Sequence, residues 1–312
     1  MSVNTLYRVL GSLREAEGTL SGEKLSKELG VSRVAVWKHV QELRRQGYVV
    51  GSSNSGYRLL GAPDLLLPGE FPGWESRIHH FQEVDSTMRL ARELAASAAE
   101  EGTIVVAETQ SQGRGRLDRT WQSPRGGVYM TVITRPHIQP RHAPRVNLLA
   151  SVSVASVLRQ ALGVSATVKW PNDVLVDGRK VCGILSEMEA ECDAVRYVNV
   201  GIGMNVSVPV WAGAAKAVSL SELVTGPVRR AEIARRVVKD LLQRLPDVAS
   251  TRALDAWRAL SETIGRQVSV QQGEEVVSGM AVDVDESGAL VVRAGSGDCV
   301  TVFAGDCRYG LS

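Results

Sequence analysis

The sequence predicts an α+β protein in three parts. Apolar residues at helical spacing fill the first 45 positions and are followed by two short β-type runs. From Ser76 onward, strand-like runs joined by turns alternate with blocks of helix, which favours a central mixed sheet with helices on one face. After Thr263, short alternating runs broken by glycine predict a small β domain resembling an SH3 barrel. The predicted boundaries are 1–60, a linker at 61–75, 76–262 and 263–312.

Composition narrows the class of protein. With 312 residues, 44% hydrophobic and 22% charged, the chain can bury real cores and is not a disordered protein. A net charge of +2 excludes a nucleic-acid-binding protein that is basic over its whole surface, but it allows a local basic patch. The opening stretch lacks the apolar region of a signal peptide, and no run approaches the ~20 apolar residues of a membrane span. We therefore expect a soluble, cytoplasmic protein with no membrane partner.

Cysteine and histidine usage gives no metal or disulfide signature. The cysteines form no CxxC pair and there is no HExxH, so we expect free thiols and no protein metal site. The cysteines are Cys182, Cys192, Cys299 and Cys307.

The N-terminal segment predicts three short helices. Apolar residues from Leu6 to Leu13 repeat at helical spacing. A second helix begins after Ser21, a suitable N-cap, and ends at Gly30, a common helix terminator. Ser32 caps a third helix, RVAVWKHVQELRR, whose basic side chains are left for solvent or an anion. Two short helices joined by a tight turn, the second of them basic, are typical of a helix-turn-helix.

The stretch YVVGSSNSGYRLL adds two short β runs around a polar turn, which is the pattern of a wing. Residues 1–60 thus resemble a winged helix-turn-helix DNA-binding domain. The alternative is a small helical docking module with a solvated charged face. Trp37 and His39 could instead pack against the first helix. The residues expected to face the major groove are Ser32, Arg33, Trp37, Lys38 and His39.

A proline-rich segment separates this domain from the next. Pro63, Pro68 and Pro72 lie within ten residues, and proline removes backbone donors and extends its predecessor. We interpret residues 61–75 as a linker, whose leucines at 65–67 could pack on either neighbour.

The central part reads as strands linked mainly by hairpins. Asp177-Gly178 between valine-rich flanks is a strong signal for a two-residue hairpin turn. No GxGxxG follows the first strand and no GxxxxGK[ST] is present, which disfavours a dinucleotide fold. Any ATP would have to be bound without a P-loop.

The stretch GRGRLDRTW, residues 113–121, combines flexible glycines, guanidinium groups and an aromatic ring. Glycine at 113 and 115 permits unusual backbone angles or close approach to a ligand, and Arg114 and Arg116 suit phosphate or carboxylate. Trp121 could stack on a base. The alternative is an exposed basic loop whose tryptophan packs into the core.

Three more polar clusters accompany this loop: Asp85-Ser86-Thr87 where a strand meets a helix, Lys169-Trp170-Pro171-Asn172-Asp173, and Arg179-Lys180 ahead of Gly183. Singly, Ser86 could be an N-cap, Asp173 a turn former and Lys180 a solvated cation. Together they offer cations for a triphosphate, and hydroxyls for a carboxylate-bearing substrate. That set suits an adenylating enzyme.

At these residues the chain resembles biotin protein ligases of the bifunctional type, which also repress biotin synthesis genes. The matching segments are DSTM, ETQSQGRGRLDRTW, VKWPNDVLVDGRKVCGIL and GIGMNV. The resemblance implies that biotin and MgATP form biotinyl-5′-adenylate, which then biotinylates a lysine of a biotin carboxyl carrier protein. It also implies operator DNA as a partner, an adenylate-promoted homodimer and no protein nucleophile.

The resemblance implies roles for individual residues at the positions that match the family motifs. Biotin contacts are implied for Ser86, Thr87 and Gln110, and closure over biotin and the adenylate for Arg114, Gly115 and Arg116. The resemblance implies that Trp121 lies beside the adenine and that Lys169, Asn172 and Asn205 are on the nucleotide side. It also implies that Lys180 contacts the biotin carboxylate and α-phosphate, with Gly183 nearby, and that Asp173 helps to position the acceptor lysine. The residues expected to carry catalysis are Lys180, Arg116, Asp173 and Lys169.

Two positions depart from the family pattern. Met88 stands where asparagine is usual, and Asp118 puts an acid into a loop that is commonly more basic. The C-terminal domain is either a stabilising cap or a contact for ATP or the carrier, and Arg308 lies near a position that is often basic in the family.

The sequence disfavours two other functions. A sensor that binds biotin without catalysis is disfavoured by the retained Lys169, Lys180 and arginine loop. A lipoate or octanoyl transferase is disfavoured by that loop and by the DNA-binding domain.

Overall fold

The computed structural model describes residues 3–209 and 216–310. The chain divides into two compact units, Met1–Ile78 and His79–Ser312. The finer boundaries expected at 60, 75 and 262 remain predictions.

The first unit contains three helices and a hairpin. Its elements are α1 Val3–Glu15, α2 Gly22–Leu29, α3 Arg33–Arg45, β1 Val49–Ser53 and β2 Gly56–Gly61. The side chains of Ser21 and Ser32 accept hydrogen bonds from the backbone N–H groups of Lys24 and Ala35, so both expected N-caps are confirmed. Gly30 ends α2 with φ 67°, a conformation that glycine adopts without strain.

The proline segment folds onto this unit. Leu65 and Leu67 pack with the helical core, and Pro68–Glu70 forms a short 3₁₀ helix. The Tyr48 hydroxyl donates to Glu70 Oε1 over 2.7 Å, and Arg14 pairs with the same carboxylate. The leucines left open by the sequence therefore belong to the first unit.

The second unit is built on a seven-stranded sheet, ordered β3-β4-β5-β9-β8-β7-β6. Its first elements are β3 Ile78–Val84, α4 Thr87–Ala96, β4 Ile104–Gln110, β5 Val128–Thr134 and α5 Ala143–Leu162. They are followed by β6 Ala166–Lys169, β7 Asp173–Val176, β8 Arg179–Glu191 and β9 Ala194–Met204. From β4 to β6, every neighbouring pair is antiparallel. Asp177 and Gly178 both have positive φ, and they form the hairpin turn that the sequence predicted.

The sheet is covered on both faces at β5, all of whose residues are buried. A cover on one face only, as expected from the sequence, would leave alternate residues of this strand exposed. On one face, Ala91 and Ala95 of α4 pack with Val105 and Ile133.

The C-terminal region adds two helices and a second sheet. These elements are α6 Arg230–Arg244, α7 Thr251–Leu260, β10 Gln267–Gln272, β11 Glu275–Val284, β12 Leu290–Arg293, β13 Cys299–Val302 and β14 Asp306–Tyr309. The five strands are ordered β13-β12-β11-β10-β14. Within the described residues β13 and β14 are the two edges, so strand pairing does not close the expected barrel.

Across residues 3–209 and 216–310, no helix combines the length and the apolar character needed to cross a bilayer.

A buried ion pair ties the sheet to α6. Arg230 Nη2 lies 2.8 Å from Glu108 Oε2, and both side chains are almost fully buried. His80 Nε2 lies 3.1 Å from the other oxygen of Glu108, and Arg230 also donates to the Gly127 carbonyl over 2.9 Å. The network anchors β4 two residues before Gln110.

Replacing Arg230 with alanine is expected to destabilise the protein by about 3–5 kcal/mol, because Glu108 would remain buried without its guanidinium partner. Arg236→Ala is the matched control on the same helix, since its pair with Glu232 is exposed and worth under about 1 kcal/mol. Urea unfolding of both variants measures the difference. Equal losses would show that burial of the pair adds nothing.

Candidate active site

A cavity of about 340 Å³ lies in the second unit. Its wall is formed by the start of α4, the loop after β4, the β6–β7 turn, β8, β9 and the turn before β14. Every residue that the sequence placed at a biotin or nucleotide site lines this cavity: Ser86, Thr87, Gln110, Arg114, Gly115, Arg116, Trp121, Lys169, Asn172, Asp173, Lys180, Gly183 and Asn205. The structure thus brings together segments far apart in the chain.

One end of the cavity is lined by neutral hydrogen-bonding groups. Gln110 Oε1 accepts from the Thr87 backbone N–H over 2.9 Å, and Gln110 Nε2 donates to Ser123 Oγ over 2.8 Å. Ser86 occupies the N-cap position of α4, but its hydroxyl makes no capping bond. Among the described residues this buried hydroxyl has no hydrogen-bond partner. An unsatisfied buried hydroxyl on the cavity wall is suited to a polar ligand.

The floor of the cavity is formed by two facing glycines. Gly183 of β8 pairs with Gly203 of β9, and the Trp121 ring lies on both. A Cβ on Gly203 would lie 2.5 Å from Trp121 Nε1, and one on Gly183 would lie 2.8 Å from Trp121 Cζ3. The ring can occupy this place only because both strands lack side chains there. Gly203 was not predicted, although glycine inside the apolar strand VGIGM indicates a close approach.

The arginine loop folds back on itself. The Gly115 N–H donates to the Arg119 carbonyl over 2.7 Å, and the Trp121 N–H donates to the Gly113 carbonyl over 2.9 Å. A Cβ on Gly113 would lie 2.3 Å from the Trp121 carbonyl oxygen, so this glycine serves close approach.

Backbone angles in the loop differ from the expectation. Gly113 and Gly115 do not have positive φ, whereas Leu117 and Asp118 both have φ 54°. Aspartate tolerates this left-handed region better than most residues, because its short side chain hydrogen-bonds locally. The departure at Asp118 therefore has a conformational reason.

Five basic side chains line the cavity, and three of them, Lys180, Arg116 and Lys169, are held in different ways. Lys180 Nζ lies 2.5 Å from Asp173 Oδ1 and 5.3 Å from the centroid of the Trp121 ring. Arg116 donates to Asn172 Oδ1 over 3.3 Å and to the Gly305 carbonyl over 3.2 Å. Burial lowers the pKa of Arg116, but an arginine stays charged near neutral pH. Lys169 Nζ lies over the ring of Tyr309 in the C-terminal sheet, 4.6 Å from its centroid.

The C-terminal sheet contributes a second hold on the loop. Arg119 donates to both carboxylate oxygens of Asp306, over 3.3 and 3.0 Å. Arg308 is largely exposed and contacts the same carboxylate at 3.5 Å, outside the cavity lining. Hydrogen bonds from Arg119 hold the pKa of Asp306 below its ordinary value of 3.8. Sequence reasoning missed this pair, because 187 positions separate its members.

The cavity also contains a thiol. Cys307 lines the wall, and burial raises its pKa to about 11, so the thiol is neutral at physiological pH. Among the described residues, no three histidine, cysteine, aspartate or glutamate side chains are grouped so as to hold a metal ion.

The predicted DNA-facing residues lie in the first unit. Ser32, Arg33, Trp37 and Lys38 are exposed, with Trp37 at 49%. His39 is buried, so the prediction that it faces the major groove is wrong. At 100° per residue, position 39 shares the buried face with Val36, Val40 and Leu43. Burial also lowers the pKa of His39.

Replacing Asp306 with asparagine is expected to loosen the arginine loop. The exposed pair with Arg119 contributes about 0.2–1 kcal/mol, so amide exchange at 113–121 should accelerate up to about fivefold. Asp298→Asn is the control, since that exposed acid bonds only locally. Hydrogen exchange with mass spectrometry measures the effect.

The pH dependence follows from the lowered pKa of Asp306. Its contribution is present above the unfolded pKa of about 3.9 and is lost as pH falls through the lower folded pKa. Loop protection due to this pair should therefore hold at neutral pH and decline only in acid. A decline between pH 6 and 8 would contradict that assignment.

Comparison with known proteins places these features in a family. Residues 80–205 match the biotin/lipoate A/B protein ligase family, residues 5–58 match an HTH domain, and residues 263–308 match the biotin protein ligase C-terminal domain. A solved biotin protein ligase from Aquifex aeolicus, in complex with biotin and ATP, is 26% identical with a TM-score of 0.62. The match covers 75% of this chain and 99% of that one.

Curated relatives extend the match over most of the chain. The bifunctional ligase/repressor BirA of Escherichia coli is 29% identical over 88% of both chains. The biotin–[acetyl-CoA-carboxylase] ligase of Mycobacterium tuberculosis is 32% identical over 77% of this chain and 91% of its own. The bifunctional ligase/repressor BirA of Bacillus subtilis is 36% identical over 93% of this chain and 94% of its own. The chain therefore belongs to the biotin protein ligase family, among the bifunctional ligase/repressors.

Proposed function

We propose that this ligase activates biotin with MgATP as biotinyl-5′-adenylate and transfers it to a lysine of a biotin carboxyl carrier protein. The observation that carries the proposal is a cavity whose lining combines neutral hydrogen-bonding groups with several cations. We further propose that the first unit binds operator DNA as a repressor of biotin genes.

Biotin would occupy the neutral end. The free Ser86 hydroxyl, with Thr87 and Gln110, would bind the ureido ring, and Gln110 is already oriented by its bonds to Thr87 and Ser123. Such pre-orientation lowers the ordering cost of binding. Met88 is buried against Gly201 and supplies apolar surface where the family usually has an amide.

The nucleotide would occupy the cationic end. Trp121 would lie beside the adenine, and Lys169, Asn172 and Asn205 would bind the phosphates and sugar. Mg²⁺ would enter with ATP as part of the substrate, since this ion commonly keeps its waters and binds phosphates plus one or two carboxylates. The carboxylates in the lining, Asp173 and Asp306, are each paired with a basic group, which favours coordination mainly by phosphate and water.

In the first step, a biotin carboxylate oxygen attacks the α-phosphorus, and the bond to the bridging oxygen breaks to release pyrophosphate. Lys180 would exchange Asp173 for the α-phosphate and the biotin carboxylate, neutralising charge where it develops. Arg116 would hold the adenylate. Gly113 and Gly115 add backbone freedom to the free loop, so its ordering around the adenylate would carry an entropic cost.

In the second step, the ε-amine of the acceptor lysine attacks the acyl carbon and AMP leaves. Asp173, freed from Lys180, would orient the incoming amine. Catalysis would then rest on positioning and electrostatics, without a covalent intermediate on the protein. The high pKa of Cys307 fits this route, since its thiol is a poor nucleophile at pH 7.

The C-terminal sheet would be an SH3-like barrel in which residues 305–307, at the start of β14, form part of the cavity wall. This placement favours a contact with the nucleotide or the carrier over a purely stabilising cap.

DNA binding would use the exposed face of α3. Arg33, Trp37 and Lys38 lie on that face, and Arg44 donates to the Val50 carbonyl over 2.6 Å, which ties the wing to the helix. One recognition helix per chain suits a dimer on a palindromic site. We propose that the adenylate promotes this homodimer.

Sedimentation tests the coupling: addition of biotin and MgATP should shift the chain from monomer to dimer and strengthen operator binding in parallel. An unchanged oligomeric state would contradict it. Removal of residues 1–77 should spare ligation. That cut is preferable to one at residue 60, because Leu65 and Leu67 pack on the helical core of the first unit.

Lys180→Ala is expected to lower biotin transfer by about 10²–10³-fold, the usual effect of removing a charge-stabilising donor. Intact-mass measurement of a carrier domain incubated with biotin and MgATP follows the product. Arg179→Ala is the control, since this neighbouring cation is outside the cavity lining. No transfer by the wild type would contradict ligation, and full activity of Lys180→Ala would reduce Lys180 to a hairpin cation.

Arg116→Gly is expected to release the adenylate prematurely. Adenylate should still form, because Lys169 and Lys180 remain, but free adenylate would acylate exposed lysines of bystander proteins. Biotin transfer to albumin without carrier measures the leak. Arg125→Gly serves as control, since Arg125 contacts Gln82 and does not line the cavity. Unchanged albumin labelling with normal adenylate synthesis would place the role of the loop elsewhere.

A further inference from the structure

We propose that Tyr309 is a positioning residue for ATP, which acts by holding Lys169 in place; the proposal rests on the function proposed above. Lys169 Nζ lies 4.6 Å from the centroid of the Tyr309 ring, within the range of a cation–π interaction. Lys169 ends β6 and lines the cavity, whereas Tyr309 ends β14 and lies outside the lining. No sequence motif joins these residues.

Tyr309 is held through both its backbone and its side chain. The backbone of Tyr309 pairs with Val268 in the C-terminal sheet, and the Tyr309 hydroxyl lies 3.1 Å from Thr263 Oγ1. Thr263 Oγ1 in turn accepts from the Trp170 backbone N–H over 2.9 Å. The ring is therefore held relative to the strand end that carries Lys169.

A second cation shares the ring. The Arg266 guanidinium carbon lies 4.7 Å from the same centroid, while Arg266 also pairs with Glu262. Arg266 thus has a carboxylate of its own. Across residues 3–209 and 216–310, Lys169 has no carboxylate within ion-pair distance, so the ring is the group that holds its ammonium.

The nature of the partner matters for phosphate binding. Lys180 must leave Asp173 before it can contact an anion, because a carboxylate competes with phosphate for the same N–H donors. A tyrosine face attracts the ammonium through its quadrupole and carries no negative charge. Lys169 is thus held in place without a carboxylate bound to its ammonium, so it can contact an incoming triphosphate without giving up an ion pair.

The contact predicts a selective effect on the nucleotide. Tyr309→Leu keeps an apolar side chain but removes the ring, and should raise the KM for ATP about threefold to tenfold. The KM for biotin should stay within about twofold, because among the described residues Tyr309 has no hydrogen bond or ring contact with Ser86, Thr87 or Gln110. Tyr309→Phe retains the ring and loses only the bond to Thr263, so its KM for ATP should stay near that of the wild type.

A double variant with Lys169→Ala shows whether the effect passes through Lys169. In that background, Tyr309→Leu should change the affinity for ATP by less than about twofold, since the ring no longer has an ammonium to hold. Equilibrium titration of ATP gives this affinity without turnover, so it decides the point even for a chain that fails to ligate.

Three results would overturn the proposal: wild-type ATP affinity in Tyr309→Leu, an equal loss in Tyr309→Phe, or an undiminished effect of Tyr309→Leu in the Lys169→Ala background. Each leaves ligation by the wild type untouched. Failure of the proposed function would instead appear as a wild-type chain that never biotinylates the carrier. Thermal unfolding of all variants checks that they are folded.

Discussion

The site depends on the packing of one indole ring on two bare strand positions. Trp121 lies where Gly183 and Gly203 face each other across β8 and β9. A side chain at Gly203 would collide with the ring, so the loop that carries Trp121 could not lie on the sheet. That placement brings Arg116 to Asn172 and sets Lys180 beside the indole. The cavity wall, the cation set and the attachment to the C-terminal sheet all follow from it.

The cations are held by partners of three kinds, which divides their roles. Lys180 has a carboxylate partner and must exchange it to act. Arg116 is held by amide and carbonyl oxygens and Lys169 by a ring, so neither has to leave a carboxylate before it contacts an anion. A triphosphate carries several negative charges, and cations that are already in place meet them with little reorganisation. The pair Arg119–Asp306 adds a hold on the loop that does not involve the proposed phosphate ligands.

Sequence reasoning succeeded where structure is local. Ser21 and Ser32 cap helices by bonding to backbone groups three residues away, and Asp177 and Gly178 form a turn through their own backbone angles. Contiguous motifs likewise identified the cavity residues, because each short segment brings several of them together. Which face of a helix a given residue occupies is harder to predict than where the helix begins and ends. His39 was placed on the wrong face of α3 because its polarity outweighed its position beside Val40.

Contacts between distant segments were out of reach. The pairs Glu108–Arg230, Arg119–Asp306 and Lys169–Tyr309 join residues more than a hundred positions apart, and no local pattern links one partner to the other. The unusual backbone angles in the arginine loop were expected at its glycines and lie elsewhere. Close approach explains Gly113, while the left-handed backbone falls on Leu117 and Asp118. Such steric requirements appear only once the strands are paired.

The most direct test is the rate of pyrophosphate release by Gly203→Ala with saturating biotin and ATP. The added methyl group should displace Trp121 and the loop, and a shift of about 1 Å at a reacting site can cost about a hundredfold in rate. Gly295→Ala is the control, because a Cβ there would enter open space. The account predicts a loss of about tenfold or more in Gly203→Ala, with Gly295→Ala unaffected. A wild-type rate in Gly203→Ala would show that the site does not depend on the packing of Trp121 against Gly183 and Gly203.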